Sequence, residues 1–578
     1  MKHNVYSIIT RYTVDSFYYH NWALTISQGN WLGHEVFFLG PFYAYFLAII
    51  YKIFGSNIIA VQIIQTLLSS FGVILLYLIT KRISNARNAV IAAIIYIFSG
   101  ILIFYTGALL YVEVNIFFSL CLAYLLIRLT DQYSLRLLII SAIILGLLVI
   151  IRPEFLLLLF LLIPYFIIKI KPKPMRQYII FALITLAVVS VIPIRNYLVA
   201  KDFVLFTGHS GVNFFYGNNP QTDGTWRQVY RLQRSDNVSI QSFQRSSQTI
   251  NGRLAKASVA SNYWFDQGLN FITHHPGQYL KLLYRKFLLF INSYEIPSNY
   301  YFYQTRDDSF ILKLAIFSFG FILPCAILGI ILSAKQWKDL YLLYAIIFIY
   351  LISSLIFYVI SRLRTPVIPF LIIFASCFIG DFYQRLKNKK YNTVLLLGFG
   401  FLVLFGLTQI RVINKKEFDA GGYFQKGQIY LDAHKYSLAV SDYNKALTIN
   451  QLDIPARYGL LHAFLGLNNQ VDAQKHIAIL MEIAKKYPYP LCQFYAHMAN
   501  ADYAVANNNI ATAASELKQS IAINPYDASA HYELSALYMK LDKYEEAMIE
   551  MQKTLELDPE YENAQRMIYS IKKYIQPK

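Results

Sequence analysis

Ten apolar runs of about 20 residues each constrain this chain more than any other feature. They fall at 57–80, 89–108, 112–130, 135–151, 153–170, 177–198, 314–333, 338–360, 365–384 and 391–410. A helix rises about 1.5 Å per residue, so ~20 residues cross the ~30 Å hydrocarbon core of a bilayer. Backbone groups in lipid find no water, so such runs are expected to be helical. Composition agrees: 56% of the 578 residues are hydrophobic, against ~45–50% in a soluble domain. The segment 42–54 is too short to cross comfortably and reads as an interfacial helix.

The basic residues orient the spans. Lys81, Arg82 and Arg87 share one short loop; Arg128 and Arg136 flank another. Lys169, Lys171, Lys173 and Arg176 fill a third, Lys335 and Lys338 a fourth, Arg385, Lys387, Lys389 and Lys390 a fifth. All five fall on one side if every span crosses, and by the positive-inside rule that side is the cytoplasm. The other side then holds residues 1–56, the loop 199–312 and everything after 411. The net charge of +19 is explained by these loops and by anionic lipid. No zinc-finger, RNP or helix-turn-helix pattern accompanies it, so no nucleic-acid partner is expected. Arg152, Arg195, Arg362 and Arg364 lie at outer span ends, against the rule. A lipid-linked phosphate would account for them, as would snorkelling to outer headgroups. Four scattered cysteines suggest neither a disulfide framework nor a metal site. Residues 1–13 lack the apolar core of a secretory signal.

Chemistry-bearing residues gather on the outer side. Asp15 sits in Val14-Asp15-Ser16-Phe17-Tyr18-Tyr19-His20-Asn21-Trp22, followed by Glu35 and by Gly40-Pro41-Phe42-Tyr43-Ala44-Tyr45-Phe46. An acid inside an aromatic collar is expensive to desolvate; the alternative is a solvated Asp in an interfacial belt. Glu113 opens the third span, where a helix N-terminus would also favour an acid. The loop 199–312 is dense in turn residues: Gly208, Gly211, Gly217-Asn218-Asn219-Pro220 and Asp223-Gly224. Asn218 and Asn219 suit sugar hydroxyls and equally suit Asx-turns. Residues 226–262 are polar and Gln- and Arg-rich, a lid or an insertion. Lys286 suits a phosphate, with a surface lysine as the plainer reading.

From about 418 a repeat begins. Ala439, Ala473, Ala513 and Ala547 are spaced by 34, 40 and 34 residues. Small residues at the eighth and twentieth places and Pro near the thirty-second form the tetratricopeptide pattern. Two units depart: Gln451 replaces the Pro, and extra residues surround Tyr487-Pro488-Tyr489-Pro490. Four or more units would stack as a solenoid with a concave face for a protein partner.

The membrane part resembles a known family. Asp15, Tyr19 to Ala23, Gly29, Gly40-Pro41-x-Tyr43-x-Tyr45-x-Leu47 and Phe54-Gly55 are similar to the first extracytoplasmic loop of GT-C glycosyltransferases of the protein O-mannosyltransferase and lipid A aminoarabinose transferase type. Arg195-Asn196-Tyr197, Gly217-Asn218-Asn219-Pro220 and Arg362-x-Arg364-x-Pro366-x-x-Pro369 continue the likeness over roughly residues 10–390. Family members usually carry a transmembrane helix before the acid; residues 1–13 leave no room, and a missing first helix is expected. The resemblance implies transfer of a sugar from a polyprenyl-phosphate donor to an acceptor protein or glycolipid outside the cytoplasm, with inversion. It implies Asp15 as general base and Glu113 as the second acidic position. Arg195, Arg362 and Arg364 are then the cations for the donor phosphate, since guanidinium binds phosphate in bidentate fashion. Arg364, close before Pro366, is expected in extended backbone, aimed along the interface. His20 is placed to orient Asp15 or bind donor, and Glu35 to touch the acceptor. No His-x-x-x-His or Asp-x-Asp motif occurs, so no metal cofactor and no nucleotide-sugar donor are expected.

The expected architecture is all-α: a polytopic helical bundle over residues 1–412, with 199–312 as an extracytoplasmic loop region, then a tetratricopeptide solenoid over 418–578, in the cytoplasmic (inner) membrane with active site and repeats outside. Rival readings are an O-antigen ligase- or polymerase-like enzyme with repeats, a non-catalytic membrane-anchored scaffold, and a transporter. The last lacks paired broken apolar segments.

Overall fold

The computed structural model describes residues 14–171, 173–226, 256–557, 561 and 563–575. Most of the Gln- and Arg-rich stretch 226–262 and residues 1–13 lie outside the described residues. The chain forms two units with a boundary between 413 and 414. Among the described residues there is helix but no strand, only one isolated bridge between Ser99 and Phe317.

The first unit starts with α1 (Val14–Ser27), α2 (Phe42–Phe54), α3 (Ile58–Ile83), α4 (Ala86–Ile97), α5 (Gly100–Thr106), α6 (Val112–Asp131) and α7 (Leu135–Ile151). It continues through α8 (Leu156–Lys169), α9 (Pro174–Ala200), α10 (Ser210–Gly217), α11 (Ala257–His274), α12 (Pro276–Ile291), α13 (Phe302–Asp308) and α14 (Phe310–Lys313). It closes with α15 (Phe319–Leu332), α16 (Trp337–Ile356), α17 (Ser361–Arg364), α18 (Ile368–Lys387) and α19 (Tyr391–Thr408). Six described stretches are long and apolar enough to cross a membrane: 58–83, 112–131, 174–200, 334–356, 361–387 and 391–408. The expected span 89–108 is instead two helices. The chain breaks at Phe98, whose carbonyl accepts the Phe317 N–H at 3.1 Å. For the same reason the expected span 314–333 becomes helical only at Phe319, after the segment that makes this bond.

Burial separates lipid-facing helices from the axis of the bundle. Ile59, Ile63, Leu67, Phe71 and Ile74 form an exposed apolar stripe along α3, and Leu395, Leu396, Phe399 and Leu402 another on α19. An outward apolar stripe at helical spacing is what lipid contact requires. The stretch 361–387 is its opposite: 89% of its apolar window is buried. Helices in lipid gain little from apolar burial and associate by close packing, which small residues permit. A Cβ on Gly329 of α15 would lie 2.0 Å from the Phe374 carbonyl of α18. The pair α1–α2 packs through Tyr19, Ala23 and Ile26 against Tyr43, Ala44 and Leu47. The spacing 19, 23, 26 is one helix face.

The second unit holds α20 (Lys415–Asp432), α21 (Tyr436–Ile449), α22 (Ile454–Gly466), α23 (Gln470–Lys486), α24 (Pro490–Ala506), α25 (Ile510–Ile523), α26 (Ala528–Lys540), α27 (Tyr544–Leu557) and α28 (Ala564–Ile575). These are four helix pairs and a last helix. Ala439, Ala473, Ala513 and Ala547 are fully buried, so each second helix meets its partner at a small side chain. Each pair turns through a left-handed residue, His434, Asn468, Asn508 and Asp542. Asn, Asp and His are the non-glycine residues enriched in that conformation. Cys492 is buried, 6% exposed.

Candidate active site

Asp15 and Arg362 meet as an ion pair, although they lie 347 residues apart. Four local structures put them there. Asp15 stands in the first turn of α1. Its neighbour Ser16 anchors that turn, donating to the Leu109 carbonyl at 3.0 Å and accepting from the Tyr300 hydroxyl at 2.6 Å. Arg362 stands on the short helix α17, reached through residues 357–360. That approach is tied at each step: Val359 N–H to the Gly224 carbonyl and Ser361 N–H to the Ile296 carbonyl, both 2.9 Å, and the Tyr358 hydroxyl to Asn213 Oδ1 at 3.2 Å. Gly217 touches Phe357 so closely that an added Cβ would lie 1.8 Å from its carbonyl oxygen.

The pair is enclosed but not sealed. Asp15 keeps 20% of its side-chain surface and Arg362 keeps 11%. Arg362 lies 5.8 Å from the centre of the Tyr111 ring. Its Nε is buried without a hydrogen-bond partner. Asn299 and His209 also act on the Asp15 carboxylate. Burial pushes its carboxyl upward, but Arg362, then His209 and Asn299, outweigh this and hold it below the usual carboxylate range. Burial, opposed by Asp15 and reinforced by Arg362, lowers His209 to about 4, so its ring is neutral at pH 7. That ring packs on Phe38 at 4.7 Å and its Nδ1 lies 3.2 Å from Asn213 Nδ2.

Beside this pair lies a second one, fully buried. Arg364 donates to the carbonyls of Phe290, Asn292 and Tyr294 and to the Glu295 carboxylate, and packs on the Phe319 ring at 3.9 Å. Ser361 donates to the same Glu295 oxygen at 2.6 Å. This corrects the extended, interface-directed Arg364: the residue is helical (φ −84°, ψ −36°) and 1% exposed. Thr365, the residue ahead of Pro366, is helical as well (φ −50°, ψ −40°), because the proline sits in the first turn of a helical segment, where it is tolerated. Arg364 and Glu295 fix α17 and so aim Arg362.

The remaining residues singled out in the sequence do other things. Arg195 donates to the Glu35 carbonyl and to Asn196 Oδ1 and lies flat on Phe37, 3.9 Å from the ring centre. With Asn196, which accepts from the Phe37 N–H, it clamps the loop that follows α1. Glu35 itself is exposed. His20 bonds the Tyr51 hydroxyl at 2.8 Å, not Asp15. Glu113 is fully buried and faces Ser69 and Tyr96 inside the bundle. Asn218 donates to the Phe214 and Ile356 carbonyls, both at 2.8 Å, and Asn219 Oδ1 accepts the Gln221 N–H, an Asx-turn. Lys286 is no surface lysine. It is 0% exposed and donates to Asn218 Oδ1 and the Leu355 carbonyl, with burial lowering it to about 7. Arg152 is buried and paired with Glu154 and Ser353 rather than snorkelling. Among the described residues no group of three His, Cys, Asp or Glu side chains could hold a metal.

His209 and Asn299 escaped the sequence reading, and Glu295, in a segment that resembles a re-entry near the family's active site, was given no role there. The only local signal was their place in turn-rich stretches near span ends, Gly208-His209-Ser210-Gly211 and Glu295-Ile296-Pro297-Ser298-Asn299.

Comparisons with known proteins match three segments of the chain. Residues 39–196 match the dolichyl-phosphate-mannose-protein mannosyltransferase family. Residues 420–451 and 504–568 match tetratricopeptide repeats. No curated protein sequence matches. The Archaeoglobus fulgidus oligosaccharyltransferase crystal structure, apo form, is 12% identical with a TM-score of 0.38, over 74% of this chain and 55% of that one. Yeast Tom70 is 12% identical with a TM-score of 0.20, over 79% of this chain and 95% of that one. The mannosyltransferase match includes Glu113 and Arg195 and stops short of Asp15 and Arg362. The chain is thus an integral membrane protein in which residues 39–196 match the mannosyltransferase family and tetratricopeptide repeats follow.

Proposed function

We propose that this glycosyltransferase takes its sugar from a polyprenyl-phosphate donor and passes it, with inversion, to an acceptor on the extracytoplasmic side. The Asp15–Arg362 pair is the observation that carries the reading: a partly exposed carboxylate beside a cation with one N–H to spare. In the transfer, the acceptor hydroxyl oxygen bonds to the anomeric carbon while the bond from that carbon to the phosphate oxygen breaks. The hydroxyl proton goes to Asp15, and the departing phosphate takes its negative charge to Arg362. The pair also regulates itself. Donor phosphate competes with Asp15 for the guanidinium, and a buried carboxylate that loses its cation becomes a stronger base. His209, neutral, holds one wall without adding charge. No metal enters this scheme. The repeats would hold a protein partner outside the cytoplasm.

The test is transfer by the full chain in proteoliposomes supplied with a polyprenyl-phosphate hexose and an acceptor peptide or glycolipid. Product of inverted configuration supports the reading. Use of a nucleotide sugar in place of the lipid donor, or a retained configuration, overturns it.

A further inference from the structure

The helix that follows Arg362 ends at a second polar feature. From Arg362 to Gln384 the rise is about 33 Å, close to the thickness of the hydrocarbon core. At this far end a cavity of 240 Å³ opens among the ends of α3, α4, α15, α16 and α18. Its polar wall is made by Ser84, Asn85, Asn88, Ser333, Gln336 and Gln384, with Asp381 alongside. At ~30 Å³ per water the space equals about eight waters, enough for a small polyol.

The cavity is built rather than loose. Asn88 is 6% exposed and donates to Ser84 Oγ at 2.7 Å. A Cβ on Gly380 would lie 2.0 Å from Asn88 Oδ1, so α18 reaches this wall only because residue 380 has no side chain. The single charge in the wall, Asp381, is neutralised by Arg385 one turn on. The other groups are amides and hydroxyls, which donate and accept at once. A sugar or polyol hydroxyl does the same. Three exposed cations flank these wall residues in the chain: Lys335 between Ser333 and Gln336, Arg87 before Asn88 with its guanidinium over the Tyr383 ring, and Lys387 three residues after Gln384.

We propose that this cavity binds a polyhydroxylated phosphate, its hydroxyls against the amide wall and its phosphate on these flanking cations, presented as a lipid headgroup. The position supports a lipid, because the cavity lies where spanning helices end, at headgroup depth. The site is separate from the Asp15–Arg362 pair and does not depend on the reaction assigned there.

Native mass spectrometry of the full chain in detergent tests it, with phosphatidylglycerol, phosphatidylcholine and free glycerol 1-phosphate as probes. One phosphatidylglycerol is expected to stay bound at about tenfold lower concentration than phosphatidylcholine. The double variant Gln336→Leu with Gln384→Leu leaves every charge in place and alters two exposed side chains; it should remove that preference. Retention of glycerol 1-phosphate, lost in the same variant, supports the same site with a soluble ligand as its source. Equal retention of both lipids overturns the proposal. So does a phosphatidylglycerol preference that survives both the double variant and Asn88→Leu in correctly folded protein.

Discussion

Arg362 and Arg364 stand two residues apart on one short helix and serve different carboxylates, Asp15 and Glu295. The first pair keeps some exposure and the second keeps almost none. They should therefore fail in different ways.

Arg364→Ala leaves Glu295 and three backbone carbonyls without their donor. Removing one member of a buried pair costs about 3–5 kcal/mol. A clear drop in thermal stability of the detergent-solubilised protein is expected. Arg362→Ala should melt close to wild type while losing donor-dependent turnover by about 100-fold or more. Equal melting losses in the two variants would contradict this division.

Asp15→Asn keeps the size and hydrogen-bonding shape of the side chain but cannot take a proton. Turnover should fall by about 10²–10⁴ with expression and membrane insertion unchanged. A residual rate above about a tenth of wild type would count against Asp15 as base.

The pH profile follows from the same carboxylate. Its folded pKa is depressed by Arg362, so its stabilising effect is present above the unfolded value of ~3.9 and is lost as pH falls through the folded one. The acid limb of kcat/KM should lie below the ordinary carboxylate range. In Arg362→Gln, burial remains and the cation is gone, so the limb should move toward neutral pH. An unmoved limb would show that another group titrates.

Lys286 gives the same sign of pH dependence in a higher window. Burial lowers it from 10.5 to about 7. Between these values the unfolded chain holds a proton that the folded chain lacks, so stability rises with pH from 7 upward. Melting curves of the full chain should show this rise, and Lys286→Met should flatten it while lowering stability overall, because Asn218 Oδ1 and the Leu355 carbonyl lose their donor.

The side on which the repeats lie can be read chemically. Cys492 is buried and unsuitable as a probe. Val471 is 80% exposed. With the four native cysteines replaced, Val471→Cys should react with an impermeant thiol reagent on intact cells. Reaction only after lysis would put the repeats in the cytoplasm.

Much of this architecture could be read from period and charge. The 34-residue spacing of small residues marked the buried alanines of the repeats, because a packed helix pair admits little else there. Apolar length marked most spans but missed the break at Phe98, which depends on a hydrogen bond from Phe317, over 200 residues away in the sequence. The family resemblance, more than residue type, brought Asp15 and Arg362 forward together. It could not separate Arg362 from Arg364, or a buried Lys286 from a surface lysine, because those differences lie in which carbonyls the fold turns toward each cation. Asn218 and Asn219 suited either a ligand or a turn, and the structure gives both a turn-building part.

The 347 residues between Asp15 and Arg362 also set a clock on biosynthesis. At roughly 5–20 residues per second, about 17–70 s pass between the synthesis of the acid and that of its cation. Throughout that interval α1 waits at the membrane with an unpaired carboxylate while the intervening spans insert. No nascent chain that stops before α17 can hold the pair, so the acid acquires its partner only when nearly the whole bundle is in place.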